Sequence, residues 1–289
     1  MSELIPLPES LKEAIDPYLP TDISHHNANN NCGSEGDEIL DDNNRPLPFI
    51  TLTFAQSLDS RISLGEGTQT KLSHLQTKTM THYLRYNHDA ILIGINTFLT
   101  DNPSLNCRYN PENVHPIRPI IIDPNMKSCA ANNYNFSNLN QLASKNMGLS
   151  PYIIVSMLTY LNLKSDIDQL NNSHSGPTII PINTTKVKYS NNIELFDWPH
   201  LFSLLKNHYH INSIMIEGGA FVINNLLSYN FNLINSLIIT IAPVYLGKNA
   251  IQVSPDFHLS LLNNHNTNDR NNLTWWTGIQ DSVLMFRNK

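Results

Sequence analysis

Cysteine is scarce in this chain of 289 residues, where it occurs only as Cys32, Cys107 and Cys129. Three cysteines cannot build a disulfide framework, and none stands in a C-x-x-C pair that would indicate thiol redox chemistry or a cysteine-rich zinc site. The zinc deaminase signature, H-x-E followed by P-C-x-x-C, is missing as well. These absences exclude disulfide scaffolds and zinc deaminases, and we predict no metal site.

Long apolar runs and positive charge are also in short supply. The longest apolar run, residues 237–246, is interrupted by Thr240 and Pro243, and it is too short for a bilayer, which takes about 20 residues. The chain has 18 Lys and Arg against 24 Asp and Glu, a formal net charge of −6, whereas nucleic-acid binding needs clustered cations. With no apolar core of a signal peptide at the N-terminus, we expect a soluble, cytoplasmic protein that binds neither membranes nor nucleic acids.

The standard signatures of nucleotide binding and serine hydrolysis are missing too. The chain contains neither the G-x-x-x-x-G-K-[ST] motif of the P-loop nor the G-x-G-x-x-G motif of the Rossmann fold. It also lacks the G-x-S-x-G nucleophile elbow. A dinucleotide that binds to this chain must therefore be held in another way.

Residues 1–48 differ in composition from the rest of the chain. They contain an Asn-rich stretch at 27–31 and an acidic cluster at 35–42, a composition that buries too little apolar area to offset its chain entropy. We predict a disordered extension that catalysis does not require, followed by a folded domain over residues 49–289. A short amphipathic helix over residues 9–15 is the alternative for part of the extension, because Leu11 and Ile15 share a face.

After Pro48, strand and helix patterns alternate. Strands are predicted at 49–55, 90–93, 120–122, 152–156, 178–182, 213–216, 237–246 and 283–286. Helices are predicted from Ser73 through Leu84, at 95–99, from Asp197 to about Tyr209 and at 221–227, with 124–150 as loop. This alternation predicts an α/β fold of three layers, with a mainly parallel sheet and helices on both faces.

Two of the predicted strands run into glycine and then into a helix. The first junction is at Gly94, and the second is at Glu217-Gly218-Gly219. Ligands of parallel sheets bind beyond the carboxyl ends of the strands, where helix N-termini offer free N–H groups to phosphate. Glycine lets a phosphate approach the backbone closely. The junctions therefore predict a site for a phosphate-bearing ligand, with tight strand-to-helix turns as the alternative.

Four polar residues are further candidates. Ser57 and Asp59 follow the first strand and are suited to hydrogen-bonding a polar substrate, although an Asx-type turn explains them equally well. Arg85 and Arg108 flank the Gly94 junction in the sequence. Guanidinium groups bind phosphate through paired hydrogen bonds, so we predict that both arginines hold a substrate phosphate. Surface ion pairs are the alternative.

Five motifs occur in the order found in riboflavin-pathway reductases. They are AQSLD at 55–59, LR with HDAILIGINT over 84–97, DNPSLNCR at 101–108, EGG at 217–219 and IAPVYLG at 241–247. One such match is weak, but five in order are specific. The chain resembles this family, above all its monofunctional fungal and archaeal branch.

This resemblance implies a dihydrofolate-reductase-like fold, a homodimer, and NADPH as the donor that reduces a ribosylamino to a ribitylamino side chain on a 5′-phosphorylated diaminopyrimidinone. Its family pattern implies NADPH contacts at Thr97, Asp101, Glu217, Gly218, Gly219, Ala220 and Phe221. It implies substrate contacts at Arg85, Leu105, Arg108 and Glu217, to which the residues themselves add Ser57. Asp59 and Glu217 are the candidate catalytic proton donors or relays, and bound water is the alternative.

Two other functions remain open at this point. One is a dihydrofolate-reductase-type enzyme, which the paired arginines disfavour because folate carries no phosphate. The other is a non-catalytic regulator that binds NADPH or a phosphosugar on the same fold.

Overall fold

The computed structural model describes residues 4–20, 39–41, 44–113, 115–128, 137–171, 176–186, 194–256, 259–261 and 272–288. Their helices are α1 (Glu9–Ile15), α2 (Leu75–Tyr86), α3 (Ile95–Asp101), α4 (Ser137–Ser144), α5 (Met157–Asn162), α6 (Lys164–Asn171), α7 (Trp198–Asn207) and α8 (Ala220–Tyr229). Their strands are β1 (Phe49–Gln56), β2 (Arg61–Ser63), β3 (Ala90–Gly94), β4 (Arg118–Ile122), β5 (Tyr152–Ser156), β6 (Thr178–Ile182), β7 (Thr184–Lys186), β8 (Glu194–Phe196), β9 (Ser213–Gly218), β10 (Ser236–Ile241), β11 (Ile251–Gln252), β12 (Leu273–Thr277) and β13 (Ser282–Arg287).

Nine of these strands form one sheet in the order β12-β13-β10-β1-β9-β3-β4-β5-β6. The seven strands from β10 to β6 pair in parallel, and β13 and β12 add two antiparallel pairs at one edge. Most of the carboxyl ends therefore meet along one edge of the sheet, as in other parallel α/β sheets. The predicted mainly parallel α/β sheet is confirmed.

Helices cover both faces of the sheet because successive strand residues point to opposite sides. On one face, Ile50 and Leu52 of β1 pack with residues of α7 and α8. On the other face, Ile91 of β3 packs with residues of α3, α4 and α6, and Ile238 of β10 packs with residues of α1 and α2. The predicted three layers are thus present.

The boundaries of several elements differ from the predicted ones. Helix α4 lies within the predicted loop 124–150, and the edge strand β12 was not predicted. Strand β10 ends at Ile241 instead of residue 246, because Pro243 has no N–H to continue a ladder. Helix α2 begins after His74, not after Ser73.

The N-terminal arm, which we define as residues 4–20, is packed against the domain, so the predicted disordered extension is wrong there. The alternative helix over residues 9–15 is confirmed: Leu11 and Ile15 of α1 are fully buried, in a cluster with residues of α2, β10 and β13. Asp16 Oδ1 also accepts a hydrogen bond of 2.5 Å from Tyr83 Oη. Tyr18 and Leu19, which follow α1, are buried in the same cluster. Residues 21–38 lie outside the described part of the chain.

No helix within the described residues is both long enough and apolar enough to cross a membrane. The longest of the helices in this part of the chain, α2, has 12 residues, and a span takes about 20.

Candidate active site

The two strand–glycine–helix junctions meet in space, because β3 and β9 are parallel neighbours. Gly94 precedes α3, and Gly219 precedes α8 with a positive φ of 85°. A Cβ added to Gly219 would lie 3.2 Å from Thr97 Oγ1 and 3.5 Å from Gly94 Cα. Glycine at 219 is therefore required both by the backbone conformation and by the close approach of the two junctions.

A cavity of about 910 Å³ opens beside these junctions, and we call it the larger cavity. It is lined by all but one of the predicted cofactor residues, namely Thr97, Asp101, Glu217, Gly219, Ala220 and Phe221. The exception is Gly218, which lies in the chain between two lining residues. Burial raises the pKa of the Asp101 carboxyl above its usual value. The structure thus brings together residues that are far apart in the sequence.

One lysine on this wall was not predicted. The buried carboxylate of Asp123 accepts hydrogen bonds from the backbone N–H groups of Lys127 and Ser128, at 2.8 Å and 2.7 Å. Met126 takes a positive φ of 54°, and the turn leaves Asn125 and Lys127 on the cavity wall. Lys127 is the only basic residue among the described residues that line the larger cavity. Its signal in the sequence was the Asp-Pro turn directly after a buried strand.

A second cavity of about 290 Å³, the smaller cavity, lies along α2. Its lining residues are Ser73, Lys78, Thr81, His82, Arg85, Pro103, Ser104, Leu105, Asn106 and Arg108. The predicted substrate residues Arg85, Leu105 and Arg108 therefore lie together. The side chain of Leu105 is only 2% exposed and belongs to the hydrophobic core under α3.

Arg85 joins the two cavities through Glu217. Its Nε and Nη2 donate to Oε1 and Oε2 of Glu217 at 2.7 Å and 2.6 Å, and its Nη1 donates to the Asn106 carbonyl at 3.0 Å. The two side chains are only 13% and 16% exposed. Burial lowers the pKa of Arg85, but the adjacent Glu217 carboxylate outweighs burial and the net pKa is raised. The sequence predicts that the Arg85 guanidinium binds the substrate phosphate, whereas in the structure it binds the Glu217 carboxylate.

Arg108 has a different partner. Its Nη2 lies 2.8 Å from Nε2 of His82, and its backbone N lies 3.3 Å from Nδ1 of the same ring. His82 is buried, and burial together with the charges of Arg85, Arg108 and Lys78 lowers its pKa to about 3. The imidazole is therefore neutral at physiological pH, so it binds the guanidinium without adding negative charge.

Ser57 and Asp59 are not among the residues that line either cavity. Ser57 is buried; its Oγ donates to Asp59 Oδ1 at 2.5 Å and accepts from the N–H of Arg61. Asp59 also accepts from the N–H groups of Leu246 and Gly247. The Ser57 hydroxyl and these N–H groups lower the pKa of Asp59 to about 2. The two residues tie the end of β1 to the loop after β10, which agrees with the Asx-turn alternative. The substrate contact of Ser57 and the proton donation by Asp59 stay predictions.

The histidines beside this region serve in structural hydrogen bonds. His88, which is fully buried, has Nδ1 2.7 Å from the Leu84 carbonyl and Nε2 2.8 Å from Thr51 Oγ1. Burial lowers its pKa to about 4. Within the described residues, no group of three or more His, Cys, Asp or Glu side chains is placed to hold a metal ion.

The fold and the cavities define an α/β protein with two adjoining cavities, one beside the glycine junctions and one along α2. The family model described as the RibD C-terminal domain matches residues 48–263. The chain belongs to this family, and the resemblance to riboflavin-pathway reductases that the five motifs predicted is confirmed.

Named relatives cover nearly the whole chain. The 2,5-diamino-6-ribosylamino-4(3H)-pyrimidinone 5′-phosphate reductase of Debaryomyces hansenii is 42% identical over 98% of both chains. The protein of the same name from Saccharomyces cerevisiae is 39% identical over 98% of both chains. The solved structure of the S. cerevisiae riboflavin biosynthesis reductase covers 83% of this chain and 90% of its own, with 37% identity and a TM-score of 0.62. The two named relatives, each matched over 98% of this chain, also match most of the N-terminal region that precedes the family model.

Proposed function

We propose that this protein is a 2,5-diamino-6-ribosylamino-4(3H)-pyrimidinone 5′-phosphate reductase of riboflavin biosynthesis, with NADPH as its hydride donor. The names of the D. hansenii and S. cerevisiae relatives support the activity. The structural observation that carries it is the Arg85–Glu217 ion pair, which joins a glycine-lined cavity to a cationic one. Such a pair of cavities is suited to bring a dinucleotide and a phosphorylated substrate together.

The larger cavity fits a dinucleotide. Gly219 leaves the approach to the start of α8 open, where an added Cβ would make a tight contact of 3.2 Å with Thr97 Oγ1. The first N–H groups of a helix favour phosphate. Lys127 adds a cation on the same wall, and we assign it to the 2′-phosphate that distinguishes NADPH from NADH. NADPH, when bound, supplies the hydride.

The smaller cavity fits the substrate phosphate. Arg108, Lys78 and Arg85 place three cationic residues on its wall. Because Glu217 occupies the fork of Arg85, we assign the phosphate to Arg108 and the orientation of Glu217 to Arg85. Leu105 then shapes the wall from the core side, and Ser57 has no substrate contact in this proposal.

The reduction itself needs positioning more than covalent chemistry. The bond between C1′ and the ribose ring oxygen breaks, C1′ gains a hydride, and the ring oxygen gains a proton. Asp59 cannot give that proton at neutral pH, because its pKa of about 2 keeps it a carboxylate. Of the two candidates from the sequence, Glu217 alone lines a cavity, but its ion pair with Arg85 makes it a carboxylate as well. We therefore assign to Glu217 the orientation of a bound water that gives this proton.

The proposal includes a homodimer in the cytoplasm. Leu58, Val244 and Tyr245 support a contact with a second copy, because they are 51%, 38% and 76% exposed and lie on adjoining loops. Sedimentation equilibrium checks the dimer, and Tyr245→Ser should weaken it. Microscopy of the tagged protein in a fungal host checks the location.

Turnover with enzymatically prepared substrate tests the proposal. NADPH absorbance should fall, and mass spectrometry should show a product heavier by two hydrogen atoms. Lys127→Ala should raise the KM for NADPH and leave the KM for NADH unchanged. Oxidation of NADPH by dihydrofolate instead would favour the folate reductase, and tight NADPH binding without turnover would favour the regulator.

A further inference from the structure

The turn between β12 and β13, residues 278–281, holds the start of α2. Oδ2 of Asp281 in this turn accepts a hydrogen bond of 2.7 Å from the backbone N–H of His74 and one of 2.5 Å from the Thr77 hydroxyl. His74 is the N-cap residue of α2. In a capping box, a Glu or Gln three residues further on accepts the N–H of the N-cap residue. That position is Thr77 here, so Asp281 provides the acceptor from 207 residues away.

The Asp281 carboxylate is buried although only one of its oxygens is hydrogen-bonded. The residue is 2% exposed, and Oδ1 has no hydrogen-bond partner within the described part of the chain. Such an oxygen costs free energy, and most buried polar atoms have a partner. The two bonds of Oδ2 offset this cost, together with the N–H end of the helix, which favours an anion. The contacts with α2 are therefore what stabilises a carboxylate at position 281.

The turn contacts α2 at a second point. The N–H of Ile279 donates to Oε1 of Gln76 at 2.9 Å. A Cβ added to Gly278 would lie 2.8 Å from the same Oε1 and 2.3 Å from the Trp276 ring, so the turn lies directly against the helix. Hydrogen bonds from both Asp281 and Ile279 thus fix the first turn of α2 to the edge of the sheet.

The first turn of α2 borders the smaller cavity. The N–H of His74 belongs to the same planar peptide group as the Ser73 carbonyl, so its bond to Asp281 also fixes the orientation of Ser73. Ser73 lines the smaller cavity, and so does Lys78, one turn further along the helix. Asp281 is not among the described residues that line this cavity, so its effect on a ligand there must pass through α2.

We propose that Asp281 is a positioning residue for the substrate, because it fixes Ser73 and Lys78 on the wall of the smaller cavity through the first turn of α2. The inference rests on the proposed function of that cavity. It requires a hydrogen-bond acceptor at position 281 but no negative charge, so the amide oxygen of an asparagine should replace Oδ2.

Two variants of Asp281 test the need for an acceptor. With Asp281→Asn we expect a KM for the substrate within about threefold of wild type. Asp281→Ala removes the acceptor from the His74 N–H and the Thr77 hydroxyl, and we expect this KM to rise by about tenfold, the range of one or two hydrogen bonds. The kcat and the Kd for NADPH should change little in both variants. Ile279→Ser is the matched control in the same turn: its side chain is 81% exposed, its N–H remains, and it should behave as wild type.

A purely structural role of Asp281 would give a different result. Asp281→Ala would then lower Tm without a change in the KM for the substrate, or it would raise this KM and the Kd for NADPH together. Either result overturns the inference, and so does an equal loss in Asp281→Asn. If Asp281→Ala does not fold, Thr77→Val takes its place, because it removes one donor to Oδ2. The KM for the substrate should then rise by about threefold or more, and an unchanged KM overturns the inference.

Amide hydrogen exchange separates failure of this inference from failure of the proposed function, because it needs no substrate. In Asp281→Ala, the amides of residues 74–78 should exchange faster than in wild type, and those of α8 should not. Unchanged exchange at 74–78 overturns the inference even where wild type reduces the substrate. If wild type does not reduce the substrate, the proposed function fails and the effect on the substrate with it, whereas faster exchange would still show that Asp281 fixes the start of α2.

Discussion

The larger and the smaller cavity share one ion pair but are built by different means. Backbone shapes the larger one: Gly219 approaches Gly94 closely, and a positive φ at Met126 turns the loop that carries Lys127. The smaller one lies between α2, which contributes Lys78, His82 and Arg85, and the segment 103–108. The larger cavity therefore depends on backbone conformation, whereas the smaller cavity depends on which side chains bind its arginines.

The N-terminal arm supports the smaller-cavity side of the molecule, because its described contacts reach α2 and the β10–β13 side of the sheet. Its removal should have the largest effect on stability. A chain that starts at Asn44 loses the buried side chains of Leu11, Ile15, Tyr18 and Leu19, each worth about 1.5–3 kcal/mol. Folded domains are stable by only about 5–15 kcal/mol, so we expect a fall in Tm of about 10 °C or more. Differential scanning calorimetry measures it.

A matched pair on α1 controls this prediction. Leu11→Ala should lower stability by about 2–5 kcal/mol. Lys12→Ala removes a pair with Asp16 at the surface and a contact with the Tyr83 ring, and it should change stability by about 1 kcal/mol or less. Leu11→Ala should also raise the KM for substrate more than that for NADPH. Equal effects on both ligands would show that the arm does not distinguish the two cavities.

The Arg85–Glu217 pair gives the next largest effect. Removal of one partner leaves the other charge mostly buried, which costs about 3 kcal/mol, so Arg85→Ala and Glu217→Ala should each lower the free energy of unfolding strongly. The double variant should be less destabilised than the sum of the two, with a coupling energy of about 1–3 kcal/mol. Urea unfolding of all four proteins measures the cycle. If the losses in the free energy of unfolding are additive, Arg85 and Glu217 do not stabilise each other across the boundary between the two cavities.

Substitution of Gly219 tests whether the backbone at this position shapes the larger cavity. Gly219→Ala and Gly247→Ala both place an L-residue at a positive φ, of 85° and 86°, at a cost of about 1–2 kcal/mol. Only at Gly219 does the new Cβ meet a neighbour, Thr97 Oγ1. Calorimetric titration should therefore show NADPH affinity reduced by about tenfold in Gly219→Ala and unchanged in Gly247→Ala. An equal loss in both would point to strain instead of a cradle.

The smallest effect is a dependence of stability on pH that arises on the smaller-cavity side. Burial lowers the folded-state pKa of His82 to about 3 and that of His88 to about 4, below the usual value of about 6.5. The unfolded chain therefore binds more protons, and stability falls as pH drops below about 6.5 towards these values. His82→Gln should show a flatter fall in Tm between pH 6.5 and 4. An unchanged slope would show that His82 takes up its proton over the same pH range in the folded and the unfolded protein.

The glycine junctions and the parallel sheet could be predicted from the sequence, because an apolar strand that ends in glycine and runs into a helix is typical of an α/β fold. The partners of the arginines could not, because Glu217 lies 132 residues from Arg85 in the sequence. The packing of the arm could not be predicted from composition, because residues 4–20 stand beside the Asn-rich stretch at 27–31 and the composition of residues 1–48 as a whole is typical of disorder. Ser57 and Asp59 matched the motif of the family, yet their hydrogen bonds are to each other and to nearby backbone.

The division of roles between Arg85 and Arg108 is tested most directly by kcat/KM for the substrate with and without its 5′-phosphate. Arg108→Ala should lower kcat/KM by about tenfold to a hundredfold with the phosphorylated substrate and should match wild type with the dephosphorylated one. Arg85→Ala should lower kcat/KM by similar factors with both substrates, because it disturbs Glu217. The assignment is contradicted if Arg108→Ala lowers kcat/KM equally with both substrates. It is also contradicted if removal of the phosphate abolishes the effect of Arg85→Ala on kcat/KM but not that of Arg108→Ala.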